Sequence, residues 1–118
     1  MIEMTMQVPD RLAQRLRPMS PWLPAVLELS LIGFKTPATQ TASEIIDFLS
    51  SGPSPSEVAV YTVSERAQER TRRLLTLNEA GMLSEKEQRE LDEMEQIEHI
   101  MVLLKAQVRQ QLTGASGG

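Results

Sequence analysis

His99, the single histidine of this chain, is the first residue whose type and spacing could support metal chemistry. Glu95 lies four residues before it, so a helix would place the two side chains on one face. Helical dimetal sites use Glu-x-x-His pairs, but position 96 is Gln and the chain holds no second pair. We interpret His99 as a solvated or salt-bridged side chain, and we predict no metal and no other cofactor.

The stretch LNEAGMLSEKEQREL, residues 77–91, could be a cation loop, a helix-turn-helix or a bend between two helices. Calcium loops need oxygen ligands at alternating positions, and Ala, Gly, Met and Leu stand where ligands should be. The following helix is too acidic to approach DNA phosphates. Capping chemistry remains: Gly81 can end one helix, and Ser84 with Glu87 can begin the next.

Catalytic patterns are missing from the sequence. There is no Cys, which excludes disulfides, thiolate zinc sites and Cys nucleophiles. We find no Gly-rich phosphate loop, nucleophile elbow or Ser/His/Asp arrangement, and we predict that the protein is not an enzyme. Arginines interleaved with glutamates form either a salt-bridged face or a surface for an acidic partner; they are Arg66, Arg70, Arg72 and Arg73.

Composition and charge set the broad class. The 118 residues are 41% hydrophobic and 24% charged, as in an ordinary globular domain. No apolar run approaches the roughly 18 residues that span a bilayer, and no signal peptide is evident, so we expect a soluble, cytoplasmic protein without membrane contact. Residues 1–40 carry four basic and three acidic side chains, whereas residues 83–118 carry four basic and seven acidic side chains. A nucleic acid would therefore meet the first third, and the last third would face a basic partner or only water.

The N-terminal segment 1–36 has the pattern of a strand followed by two helices. Apolar and polar residues alternate from Ile2 to Val8, which predicts a strand that Pro9 ends. Asp10 is expected to cap a first short helix, and Ser20 with Pro21 to begin a second, apolar one. A second subunit would pair this strand into a two-stranded ribbon. The expected dimer core is Met4, Met6, Leu23, Leu27, Leu31 and Phe34.

This segment resembles the ribbon-helix-helix proteins, which pair such strands and place them in the DNA major groove. The resemblance implies operator DNA as a partner, contacted by Thr5, Gln7, Arg11 and Ser20. The alternative is a strand that pairs two subunits and has no DNA role.

Residues 37–112 are predicted to be helical, which makes the fold class mainly α with one N-terminal β-strand and five or six helices. Capping boxes are expected at Thr41 with Glu44 and at Ser54 with Glu57, and Thr62 or Ser64 should begin a further helix. A long helix from Ser84 towards Leu112 completes a C-terminal hairpin, and a disordered tail is expected at 113–118. The long helix has an apolar seam, which is predicted to be a partner or hairpin face. The seam consists of Leu91, Met94, Ile97, Met101, Leu104 and Val108.

Residues 64–107 resemble the C-terminal part of small bacterial proteins, frequent in cyanobacteria, that are taken to be antitoxins or antitoxin-like partners of nuclease toxins. Four features carry the resemblance: Leu74-Leu75, the turn with Asn78, Gly81 and Leu83, the start Ser84-Glu85-x-Glu87, and Leu103–Ala106. The resemblance implies a homodimer that binds and neutralises a toxin through its helical half and binds operator DNA through its N-terminus. The alternative is a helical dimeric adaptor or assembly protein without DNA binding.

Overall fold

The computed structural model describes residues 2–33 and 35–117, with side chains described as far as Gly114; the expected dimer-core residue Phe34 lies outside the described residues. Six α-helices and one 3-10 helix make up most of this part of the chain. They are α1 (Asp10–Leu16), the 3-10 helix (Arg17–Trp22), α2 (Leu23–Leu31), α3 (Ala38–Ser50), α4 (Pro55–Ala59), α5 (Glu65–Glu79) and α6 (Glu85–Gly117). The prediction of a mainly helical fold is confirmed.

The long helix α6 is the centre of the fold, because α2, α3, α4 and α5 all pack against it. Its apolar seam joins Ala25, Val26 and Leu29 of α2 and Ile45 and Leu49 of α3 in one buried cluster. All six seam residues named from the sequence are buried, and all but Leu91 belong to this cluster. They therefore pack inside this chain and leave the opposite side of α6 as its outer surface.

The predicted N-terminal β-strand, and with it the two-stranded ribbon, is wrong. Residues 2–9 form an irregular arm, which we call the N-terminal arm, and no strand occurs among the described residues. A strand is held by the hydrogen bonds of a neighbouring strand, and this fold offers the arm none. Alternation between apolar and polar residues is therefore not sufficient here, and Ile2, Met4 and Met6 are 88%, 85% and 74% exposed.

The second helix also begins later than its sequence predicts. Ser20 and Pro21 lie inside the 3-10 helix, and α2 starts at Leu23 with Pro24 in its first turn. Proline lacks the N–H that an α-helix interior needs, so Pro24 is tolerated only near a helix start. Ser20 therefore does not cap α2, and Asp10 does not cap α1 either, since Pro9 holds that position.

Capping predictions succeed where the cap is a local hydrogen-bonded motif. Ser54 and Glu57 form a complete capping box at α4, and the Ser64 hydroxyl accepts the Ala67 N–H at the start of α5. The box expected at Thr41 is wrong, because α3 already begins at Ala38. Helix α3 starts earlier because the hydroxyl of Thr36 accepts the Ala38 N–H at 3.1 Å.

The turn between α5 and α6 has the predicted cap-and-turn chemistry. Gly81 has φ +68°, its N–H donates to Asn78, and the Met82 N–H donates to the Leu77 carbonyl at 2.8 Å. This pair of bonds is a Schellman motif, which satisfies the last carbonyls of α5. Ser84 and Glu87 then exchange the two bonds of a capping box, so α6 turns back along α5.

Substituting valine for Gly81 tests this turn. Beyond its two chain neighbours, no atom lies within 4 Å of a Cβ placed at Gly81, so the cost comes mainly from the left-handed backbone. We expect Gly81→Val to lower the free energy of unfolding by about 1–2 kcal/mol. Urea unfolding followed by circular dichroism measures this loss. Gly81→Asn, which tolerates the conformation, should lose less; equal losses would contradict the account.

Glu87 should make the stability of the chain depend on pH. The backbone N–H of Ser84, and then its hydroxyl, lower the pKa of Glu87 below its usual value of 4.5. The charged carboxylate therefore stabilises the folded state above that value, and the contribution is lost as the pH falls through the lowered pKa.

Glu87→Gln keeps an acceptor oxygen but removes the charge. Between about pH 5 and pH 3 we expect the unfolding free energy to fall more steeply for the wild type than for this variant. Denaturant unfolding at each pH measures both slopes. Parallel curves would show that Glu87 has no such role.

Helix α6 continues through the first part of the tail expected at 113–118 and ends at Gly117, and Gly118 lies outside the described residues. None of the helices in the described part of the chain combines the length and the apolarity that crossing a membrane requires.

Candidate functional site

One carboxylate of α6 holds the loop that follows α2. Glu93 of α6 accepts the Thr36 hydroxyl at 2.6 Å and the Lys35 backbone N–H at 3.1 Å. These bonds hold the loop between α2 and α3 onto the first half of α6. Helix α2 packs on the seam of α6 through Ala25, Val26 and Leu29, and a groove is left between the two helices on their outer side.

This groove, which we call the acidic groove, has a volume of about 610 Å³. Its polar side chains are Glu28 from α2 and Glu95, Gln96 and His99 from α6, and its apolar ones are Leu31, Ile32 and Ile100. Two carboxylates thus flank an apolar floor. Such a groove is suited to an apolar side chain carried next to basic residues.

Exposed leucines lie along the acidic groove. Leu31 is 83% exposed, and Leu27, one helical turn earlier on α2, is 48% exposed. On α6, Leu103 follows His99 by four residues and is 54% exposed. Thr36, which follows α2, bonds to Glu93, whereas Glu28, earlier in α2, lines the same groove as Ile100. The two helices therefore run antiparallel, which places Leu27 and Leu103 towards the same end. The groove and these leucines form one apolar strip with an acidic border.

The residues named from the sequence divide between this strip and the core. Of the expected dimer-core residues, Leu27 and Leu31 belong to the strip, Leu23 is half-buried, and Met4 and Met6 lie on the N-terminal arm. The six seam residues lie in the core. Thr5, Gln7, Arg11 and Ser20 are all exposed but are not brought together by a ribbon.

A second groove lies on the other side of α6, between α3, the 61–63 segment and α5, and has a volume of about 490 Å³. We call it the hairpin groove. Ile45, Ile97 and Met101 are among its apolar residues, and its charged residues are Arg72, Glu98 and Lys105. Lys105 donates to the carbonyl of Tyr61, so its ammonium group is held at one end.

Tyr61 closes that end of the hairpin groove. Its ring stacks on Phe48 with centroids 4.1 Å apart. Burial, and then the nearby carboxylate of Glu44, raise the pKa of the Tyr61 phenol above its usual 10.0. The phenol therefore stays protonated at neutral pH and can only donate or accept hydrogen bonds.

One ion pair holds the hairpin itself together. Glu90 is only 3% exposed, and both of its oxygens accept from Arg70 at 2.8 Å. This hydrogen bond is the main cause that raises the pKa of Arg70 above its usual value. Sequence analysis missed the pair. The available signal was the position of Glu90, which lies four residues before Met94 and therefore on the same side of α6 as the buried seam.

His99 and Glu95 both line the acidic groove, but no group of three or more His, Asp or Glu within the described ranges could hold a metal ion.

No protein-family model matches this chain, and neither a curated protein nor a solved structure matches it. The resemblance of residues 64–107 to antitoxin-like proteins therefore stays a prediction.

Proposed function

We propose that this protein is an antitoxin-like binding protein whose acidic groove holds a basic partner protein, a small toxin. The observation that carries the proposal is the strip of exposed leucines beside Glu28 and Glu95. Exposed apolar strips of this kind mark sites of protein interaction. The partner surface is thus assigned to the outer side of α6, since the seam predicted for it is occupied by the chain's own core.

Charge supports a basic partner. Asp92 and Glu95 are exposed on α6 at three-residue spacing on the side of the acidic groove, while Glu93 is already bonded to the α2–α3 loop. A basic surface would be attracted to these carboxylates and would then bury the leucines. The interaction should weaken with added salt, as association between opposite charges does.

We also propose a homodimer as the working form, and operator DNA as a second partner. Because no two-stranded ribbon forms, DNA contact is supported by exposed basic side chains of α1 and the 3-10 helix. These side chains are Arg11, Arg15 and Arg17. Such residues bind phosphates without reading bases. A gel shift with DNA from upstream of the gene tests this part, and no shift at low salt would remove it. The protein would then be closer to the adaptor or assembly class.

Affinity capture from the native host, with matched baits, tests the partner site. The baits are the wild type, the groove variant Leu27→Asp/Leu31→Asp, which alters Leu31 of the acidic groove and Leu27 beside it, and Leu75→Asp, which alters an exposed leucine on α5. We expect the wild type and Leu75→Asp to retain one basic protein, and the groove variant to retain at least about tenfold less, a difference of 1.4 kcal/mol. A partner retained equally by all three baits would contradict the site.

A further inference from the structure

The N-terminal arm and the hairpin groove are two apolar features that this chain leaves uncovered. Ile2, Met4 and Met6 of the arm are exposed, and the hairpin groove opens beside the half-buried side chains of Tyr61 and Val63, over a floor of Ile45, Ile97 and Met101 that is almost fully buried. The hairpin groove and the acidic groove lie on opposite sides of α6, and no described arm residue lines the acidic groove. They therefore call for an explanation other than the toxin partner.

The two features match in length. Along α6 the hairpin groove extends from Met94 to Lys105, which is about 16 Å of helix. Residues 2–6 of the arm, fully extended, reach about 17 Å. The apolar side chains of the arm would repeat at every second residue along such a groove.

The charges of the two features are complementary as well. Glu3 is the only charged side chain of the arm, while the hairpin groove carries Arg72 and Lys105 against Glu98. Lys105 is bonded to Tyr61. Arg72 makes one long bond of 3.4 Å to the Gln68 carbonyl, and within the described part of the chain its guanidinium pairs with no carboxylate. Arg72 is thus the cation that Glu3 could meet.

We propose that the N-terminal arm of a second copy of this chain lies in the hairpin groove, with Ile2, Met4 and Met6 along its half-buried apolar lining, Tyr61 and Val63, and Glu3 at Arg72. The exchange is reciprocal, so two arms and two grooves close a symmetric dimer. In this dimer the two arms do not pair with each other, as they would in a two-stranded ribbon. The inference rests on the homodimer of the proposed function and not on its toxin or DNA partner.

The groove suits a neighbour's arm better than the chain's own. The arm leads into α1 and the 3-10 helix, and Pro18 of that helix contacts Gly52 just beyond the C-terminal end of α3. The groove instead lies beside Thr41 and Ile45 in the N-terminal half of α3. In this structure the chain's own arm stays outside the groove, because Ile2, Met4 and Met6 are exposed and none of the described arm residues lines it.

Engineered cysteines test the exchange, because the chain has none of its own. Met4→Cys chains are mixed with Thr71→Cys chains and treated with a short bismaleimide, and Met4→Cys mixed with Gln110→Cys is the control. We expect a Met4–Thr71 product of two chains and at least about tenfold less with Gln110. Equal yields, or a Met4→Cys/Thr71→Cys double variant that closes only within one chain, would overturn the proposal.

Charge reversal at Glu3 and Arg72 is an independent test of the same contact. Sedimentation equilibrium should show dimer dissociation constants raised about tenfold by Glu3→Arg and by Arg72→Glu, with recovery in the double variant. Dimerisation that survives deletion of residues 2–8 would overturn the proposal. Leu27 and Leu31 are unchanged in these variants, so failure of the exchange is distinguishable from failure of the toxin site.

Discussion

Replacing Leu29 with alanine is expected to lower the free energy of unfolding by about 3 kcal/mol, since the change leaves a cavity in a packed core. Leu29 is 0% exposed and belongs to the cluster that joins α2 to α6. Denaturant unfolding measures the loss, and the fluorescence of Trp22 reports on it because its ring is buried and its Nε1 donates to the Pro53 carbonyl.

The matched control is Leu31→Ala on the same helix. Leu31 is mostly exposed, so its truncation should change the unfolding free energy by less than about 0.5 kcal/mol. A loss as large as that of Leu29→Ala would mean that Leu31 is part of the core. The acidic groove would then have no free apolar strip, and the proposed partner site would fail.

Breaking the hairpin ion pair should have the second-largest effect. Arg70→Met removes both donors to Glu90 and leaves its carboxylate buried without a counter-charge. We expect a loss of about 2 kcal/mol, below the 3–5 kcal/mol of a fully buried pair, because the Arg70 side chain is 39% exposed. Urea unfolding of the variant measures it, with Arg89→Met, an exposed arginine on α6, as the control.

Replacing both partners separates the cost of an unpaired charge from the value of the pair. The double variant Arg70→Met/Glu90→Leu removes the charge as well as its partner, so it should recover at least half of the loss. A double variant no more stable than Arg70→Met would contradict this explanation. The hairpin would then depend on the pair itself.

The sequence predicts helix boundaries well where they are set by neighbouring residues. The capping residues Ser54, Ser64 and Ser84 and the left-handed Gly81 all act through bonds within a few positions, and the structure confirms each. The wrong starts at Ser20 and Thr41 lie where other residues compete. Pro24 delays α2, and Thr36 allows α3 to begin early.

Long-range features were harder to predict because their partners are distant in the chain. The arm has the alternation of a strand but no neighbour to bond with. The seam from Leu91 to Val108 was predicted as an apolar face, yet its spacing does not say whether a second protein or α2 and α3 cover it. Arg70 and Glu90 lie at nearly equal distances from Gly81, and only the hairpin geometry makes them a pair.

Growth rescue tests the central claim most directly. The basic protein captured with the wild-type bait is expressed in a bacterial host alone and together with wild-type, Leu27→Asp/Leu31→Asp or Leu75→Asp chains. We predict growth arrest that the wild type and Leu75→Asp relieve and the groove variant does not. Relief by the groove variant as complete as that by the wild type, or no arrest to relieve, would contradict an antitoxin-like function carried by the acidic groove.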